Sequence, residues 1–263
     1  MLGESLMNSS TNFPLAYAPM RTRLLNGLTL ISAALMLLTF GMALFYAGTD
    51  TTQGNVQRIF YMHVGSFGAA FVAFGTTVAG GALYLITRNL RWDKLALAGV
   101  QVGLPLSTIT LITGAIWARP TWNAFWVRDP RLDAMLVMWA VYAAYLILRG
   151  AVHQPDQRAR FAAIYGILAM VSVIYVTVVI RIRPDTLHPI NIAPEVSTYI
   201  TAEGASKGNF SVTTDQRIGV TMGISSLAWC VLAGVMIWHL VRVANLNEQV
   251  AILRMRLAER EAS

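Results

Sequence analysis

Two histidines and one short aromatic, charged stretch are the residues whose types and spacing could do chemistry. His63 lies in QRIFYMHVGS and His188 in RPDTLHPIN, each at the edge of a long apolar run. Neutral imidazole suits iron, copper and zinc. A closed tetrahedral zinc site needs four donors, and neither a third nearby histidine nor a cysteine or carboxylate cluster accompanies this pair. Two nitrogens are enough for the axial positions of heme iron.

The stretch TWNAFWVRDPRL, residues 121–132, sits between two apolar runs. If residues 122–129 are helical, Trp122, Trp126 and Asp129 share one face with Phe125 beside them. Pro120 and Pro130 bracket the segment and limit such a helix to about two turns. An aromatic belt at the membrane interface accounts for the rings, but it leaves Arg119, Arg128 and Arg131 among them without a reason. A large flat apolar ligand with acidic groups accounts for both, because rings can lie against it while guanidinium groups pair with its carboxylates. Heme fits that description. Asp129 is expected to pair with an arginine or cap the short helix rather than touch the ligand.

Other chemistries find no support. No nucleophile elbow, phosphate-binding loop, HExxH pair or paired catalytic carboxylates occur in these segments. Cys230 is the only cysteine and lies in an apolar run, which excludes an intrachain disulfide and a CxxC redox pair. His153 and His239 fall away from the other two histidines and read as interfacial polar residues.

The elements that must position these residues follow from composition. The chain has 263 residues, 56% hydrophobic and 13% charged, which is more apolar than a soluble domain. Six runs approach the roughly 20 residues that cross a bilayer: about Leu24–Tyr46, Ile59–Ile86, Leu95–Trp117, Ala134–Leu148, Phe161–Ile180 and Ile218–Val241. The fourth is short. The expected fold is an all-α integral membrane protein with six transmembrane helices, a periplasmic tryptophan-rich loop and a cytoplasmic C-terminal helix. Its parts are a disordered segment over 1–20, a six-helix domain over 21–241 and a terminal helix over 242–263.

Twelve Lys and Arg residues fall on the side of the termini and eight on the other, so the positive-inside rule places both termini in the cytoplasm of an inner-membrane protein. The net charge of +7 suits an anionic lipid leaflet, and nucleic-acid binding is not indicated. Past the sixth run, Val243, Leu246, Val250, Leu253 and Leu257 alternate three and four apart. That stripe reads as an extension of the sixth helix or as a surface for a partner or the lipid.

QRIFYMHV, TGAIWARPTWNAFWVRDPRLDAMLVMWAVYAAYLILR and DTLHP resemble the heme exporter protein C family, the six-span heme-handling proteins of cytochrome c maturation, over about Arg21 to Leu240. That family carries a tryptophan-rich outer loop ending in Trp-Asp, flanked by two outer histidines. The resemblance implies a periplasmic-side site for heme b, bound non-covalently and transiently, with Trp122, Trp126 and Asp129 at motif positions and His63 and His188 as axial ligands. It implies as partners a periplasmic heme chaperone and the ABC transporter subunits of the maturation complex. A protein of this kind assists assembly and is not an enzyme.

The pattern is not complete. The family's usual Gly-Thr-Trp-Trp-Val-Trp-Asp stands here as Asn123-Ala124-Phe125-Trp126-Val127-Arg128-Asp129, and Arg183 and Pro184 replace frequent paired tryptophans before DTLHP. The loop is thus less aromatic and more cationic. The alternatives are the heme-ligating subunit of a cytochrome c synthetase and a transporter-like membrane subunit. Synthetases tend to have more spans and a further histidine pair, and a transport pathway would call for ionisable residues deep within the spans.

Overall fold

The computed structural model describes residues 19–50, 53–183, 185–188, 197–199, 208–210 and 216–261. Six long helices dominate it. They are α1 (Pro19–Gly41), α2 (Ile59–Thr87), α3 (Leu90–Trp122), α4 (Pro130–Ala151), α5 (Pro155–Ile182) and α6 (Gln216–Glu261). A wider π turn at Met42–Tyr46 continues α1, and a 3-10 turn at Asn55–Arg58 leads into α2. All six helical segments are long and apolar enough to cross a membrane, so the chain is a multi-pass membrane protein.

Hydropathy alone trims the ends of these helices, because polar first turns are helical too. The fourth helix starts at Pro130, a residue preorganised for the first helical position, and absorbs Arg131 and Asp133 into its opening turn. At α3 the Asn89 side chain accepts from the Arg91 N–H at 3.0 Å and starts the helix at Leu90. Between α5 and α6, β1 (Ser197–Tyr199) pairs antiparallel with β2 (Gly208–Phe210), a small addition to the expected helices. The segment 1–18, expected to be disordered, lies outside the described residues, and Pro19 and Met20 already belong to α1.

The short helix that the spacing allowed over 122–129 does not form. Instead α3 runs through Pro120 and ends at Trp122, where Asn123 takes a left-handed conformation with φ 57°. That is a common way to stop a helix, and asparagine tolerates it. The residue before Pro130 must be extended, and Asp129 is, at φ −130° and ψ 133°. Those two constraints pull residues 123–129 into an irregular bend, and Trp122, Trp126 and Asp129 do not share a helical face.

The core sits around α2, which packs on α3, α5 and α6, while α4 lies against α5 and α1 leans on α6. Helices in lipid gain little from apolar burial, so close backbone approach by small residues holds them together. The α2–α3 contact is built this way. A Cβ at Gly99 would lie 2.5 Å from the Ala73 carbonyl oxygen, and one at Gly80 would lie 2.7 Å from the Ala96 nitrogen. Phe74 on α2 stacks on Tyr142 of α4 with ring centres 3.6 Å apart. At the end of the bundle away from His63, Arg149 of α4 donates to both oxygens of Asp93 on α3, at 2.5 and 2.8 Å.

Gly99→Ala is therefore expected to destabilise by about 1–3 kcal/mol through overpacking. Gly68→Ala, whose Cβ would meet nothing within 4 Å, should be neutral or stabilising. Thermal unfolding in detergent checks the pair, and equal midpoints would show that α2 and α3 do not approach so closely.

Candidate functional site

His63 lies on the second turn of α2. Its Nδ1 is 3.0 Å from the Thr110 carbonyl oxygen and 3.2 Å from the Thr113 hydroxyl, both on α3. A carbonyl only accepts, so Nδ1 carries the proton and Nε2 keeps a free lone pair. Gly114 makes the approach possible, since a Cβ there would lie 2.9 Å from the imidazole Cε1.

His188 arrives from the other direction. It lies six residues past α5. Arg183, the first residue after that helix, donates from Nε and Nη2 to the two oxygens of Asp185 at 2.8 and 2.7 Å. This hydrogen-bonded pairing holds the Asp185 carboxyl below and the Arg183 guanidinium above their ordinary pKa values. The segment is then fixed by Asp129, only 1% exposed. One carboxylate oxygen accepts from the Arg131 and Leu132 N–H groups at 2.9 and 3.3 Å and caps α4. The other accepts from the Thr186 hydroxyl at 2.9 Å and the Leu187 N–H at 2.6 Å.

The two imidazoles end with ring centres 6.4 Å apart, inclined by 38°. Both line a cavity of about 220 Å³, and a smaller one of about 50 Å³ shares the same pair. Its walls are mostly apolar. Trp117 and Trp122 meet edge to face at 5.1 Å, and both lie within 6.4 Å of the His188 ring. Trp126, Phe67 and Met135 add further lining, and Arg131 supplies a charge. Burial, then the Arg131 charge, pushes the His188 pKa well below its ordinary value, so the ring stays neutral, the form that can donate a lone pair. His188 Nδ1 is buried and has no hydrogen-bond partner among the described residues.

Of the nine residues expected at the site, His63, His188, Trp122, Trp126 and Arg131 come together on this cavity. The other four do not line it. Phe125 is 61% exposed, with the Arg119 guanidinium 5.8 Å from its ring centre. Arg119 donates to the Asn123 carbonyl at 2.6 Å. The Arg128 side chain is 90% exposed and reaches Asp133 only at 3.5 Å. Asp129 is engaged by its four donors and does not line the histidine cavity.

Sequence reasoning missed Trp117 and the floor under His63. Their signal was present: Thr110, Thr113, Gly114 and Trp117 recur at i, i+3, i+4 and i+7, a stripe of small and hydroxyl residues ending in an indole on an otherwise apolar helix. Trp117 is further fixed by donating from Nε1 to Gln53 at 2.8 Å.

A sequence model described as Heme exporter protein C matches residues 7–191. The chain belongs to the heme exporter protein C family. Among its relatives, the heme exporter protein C of Paracoccus denitrificans is 32% identical over 131 residues, 50% of this chain and 53% of that protein. That of Escherichia coli is 30% identical over 152 residues, 56% and 60% of the two chains. A cytochrome c biogenesis protein CcsA from a Synechococcus is 30% identical over 181 residues, 67% of this chain and 56% of that protein. The matched part thus spans little more than half the length of these relatives. Two positions where the loop departs from the family's aromatic pattern, Phe125 and Arg128, are ones that point away from the cavity.

Because Asp129 ties the start of α4 to the segment bearing His188, Asp129→Ala is expected to remove more than a helix cap, itself worth about 0.5–2 kcal/mol. Amide exchange at Leu187 should accelerate together with a fall in thermal midpoint. A lowered midpoint with unchanged exchange at Leu187 would leave Asp129 as a cap alone.

Proposed function

We propose that this chain binds heme between His63 and His188 and presents it to a heme chaperone during cytochrome c maturation. The spacing of the two imidazoles carries the reading. Two imidazole rings on opposite sides of one metal, each bonded at about 2.0 Å, have centres roughly 6 Å apart, and here they are 6.4 Å apart beside an apolar, indole-walled cavity. Heme is the cargo, and its iron accepts two axial nitrogens.

The residues divide the work. The Thr110 carbonyl holds the His63 ring in the tautomer that leaves Nε2 free, an outer contact of the kind that orients metal-binding histidines. His188 stays neutral through burial, and its Nδ1 has no partner among the described residues. Trp117, Trp122 and Trp126 offer faces and edges to a macrocycle. Arg131 can pair with a carboxylate of the cargo through two parallel bonds. Arg119, Arg128 and Phe125 lie outside this space and suit contact with whatever docks over it.

In this reading the histidine end of the bundle faces the periplasm and both termini the cytoplasm of the inner membrane, as the distribution of Lys and Arg favours. The cargo is heme b, held without a covalent bond, and the bond to protein is made on the chaperone, so this chain is not itself an enzyme. ABC subunits of the maturation complex supply the energy of ATP. A second reading, the heme-ligating half of a cytochrome c synthetase, is favoured by the similarity to a protein named for cytochrome c biogenesis that covers 67% of this chain. A large partner with its own periplasmic domain, co-purifying in place of a small chaperone, would decide for it.

His63→Ala and His188→Ala are each expected to abolish the low-spin, two-nitrogen absorption spectrum of the heme-loaded protein in detergent. If both variants kept the wild-type Soret band, the ligand assignment would fall. Arg131→Gln should lower heme retention about tenfold, the worth of one charge-assisted pair, while Arg128→Gln leaves it unchanged. Equal loss in both would move the carboxylate contact out to the loop.

A further inference from the structure

A second cleft lies on the side of α2 that faces α1 and α6. It encloses about 320 Å³, and its lining comes from the end of α1 and its π turn, the start of α2, the outer part of α3 and α6 at Ser225 and Trp229. Two of its residues also belong to the histidine site. Thr113 places its hydroxyl 3.2 Å from His63 Nδ1, and Ile59 lines the smaller histidine cavity. The two spaces are therefore back to back.

This cleft opens toward the lipid. Phe40, Leu44 and Ile116 belong to membrane-crossing segments, line the cleft and are exposed. Its hydroxyls are already engaged: Thr39 donates to the Met36 carbonyl at 2.9 Å, Thr113 to that of Ile109 at 2.7 Å and Ser225 to that of Tyr61 at 2.8 Å. An apolar space of this kind holds no ordered water and gains from taking up hydrocarbon.

One cation stands at its rim. Arg58, the last residue of the 3-10 turn before α2, donates from Nη1 to the Leu44 carbonyl at 2.7 Å. Leu44 lies in the last turn of its helix, where carbonyls have no partner further along. The Arg58 Nε is buried without a hydrogen-bond partner, and the residue is in no ion pair among the described residues. Leaving such a group unsatisfied is costly, and guanidinium binds phosphate oxygens through charge-assisted bonds. A lone cation above an apolar body fits a molecule with an anionic head and a hydrocarbon tail. The lining carries no imidazole, so it does not repeat the histidine cavity.

We propose that this cleft binds one phospholipid from the leaflet on the histidine side, with its phosphate on Arg58 and the start of one acyl chain against Met62 and Trp229. Arg58 stands at the end of a membrane-crossing segment, the level at which phosphates lie. From Leu44 to Thr39 the cleft runs roughly 8 Å along α1, which admits the beginning of a chain and leaves the rest in the bilayer. The site rests on the cleft and Arg58 alone, whatever the histidine cavity binds.

The test uses the full chain, purified in mild detergent and washed free of loosely held lipid, with retained lipid read by native mass spectrometry. The unaltered chain is expected to keep one phospholipid. Arg58→Gln should lower its retention about tenfold, the worth of one charge-assisted hydrogen bond. Leu44→Trp, which narrows the cleft and leaves the charge in place, should release it too. Arg181→Gln removes an exposed cation at the same end of the bundle, on α5, and should change nothing. A monodisperse peak and unchanged helix content show that each variant is folded. Phosphatidylglycerol or phosphatidylethanolamine, added back to the stripped unaltered chain, should rebind, and diacylglycerol with the same chains should not. No phospholipid on the unaltered chain, retention that survives Arg58→Gln, equal loss in Arg181→Gln, or rebinding of diacylglycerol as well would each overturn the proposal.

Discussion

The Asp129 carboxylate is buried and accepts four hydrogen bonds from two separate stretches of chain. A buried charge without partners would cost several kcal/mol, so this group is tolerable only where both stretches are in place. One of them begins α4 and carries Arg131; the other carries His188. The same carboxylate therefore sets the position of the cavity's charge and of one of its two imidazoles. His63 is set independently, by the α2–α3 packing that brings the Thr110 carbonyl and the bare backbone of Gly114 against its ring. The cavity is the space left between a rigid small-residue helix pair and a loop held by one carboxylate.

Much of this was legible in the sequence. Six apolar runs fixed the number of helices, because backbone in lipid must satisfy its own hydrogen bonds. The two histidines stood out since each lay at a run's edge on the same side. What failed was local. Pro120 and Pro130 invited a two-turn helix, yet proline in the last turn of α3 is accommodated, and the left-handed Asn123 followed by an extended Asp129 cannot be helical. With that helix went the supposed shared face of Trp122, Trp126 and Asp129.

The arginines were the less readable part. Arg119, Arg128 and Arg131 look equivalent in a string of residues, but only Arg131, in the first turn of α4, reaches the cavity. The distinction depends on where a helix starts, and that on the Asp129 cap, whose other oxygen is held by residues 57 and 58 positions away in sequence. Trp117 was hidden for a different reason. It lies inside an apolar run, where a single indole is indistinguishable from lipid-facing filler until the helix opposite is known.

The long sixth helix has a mechanical meaning as well. Near its start Ser225 donates to the Tyr61 carbonyl at 2.8 Å, two residues before His63, and the same rod then runs out past the far end of the bundle with no proline to act as a joint. The stretch of backbone two residues before one imidazole is thus held by the same continuous helix whose far end stands exposed beyond the bundle.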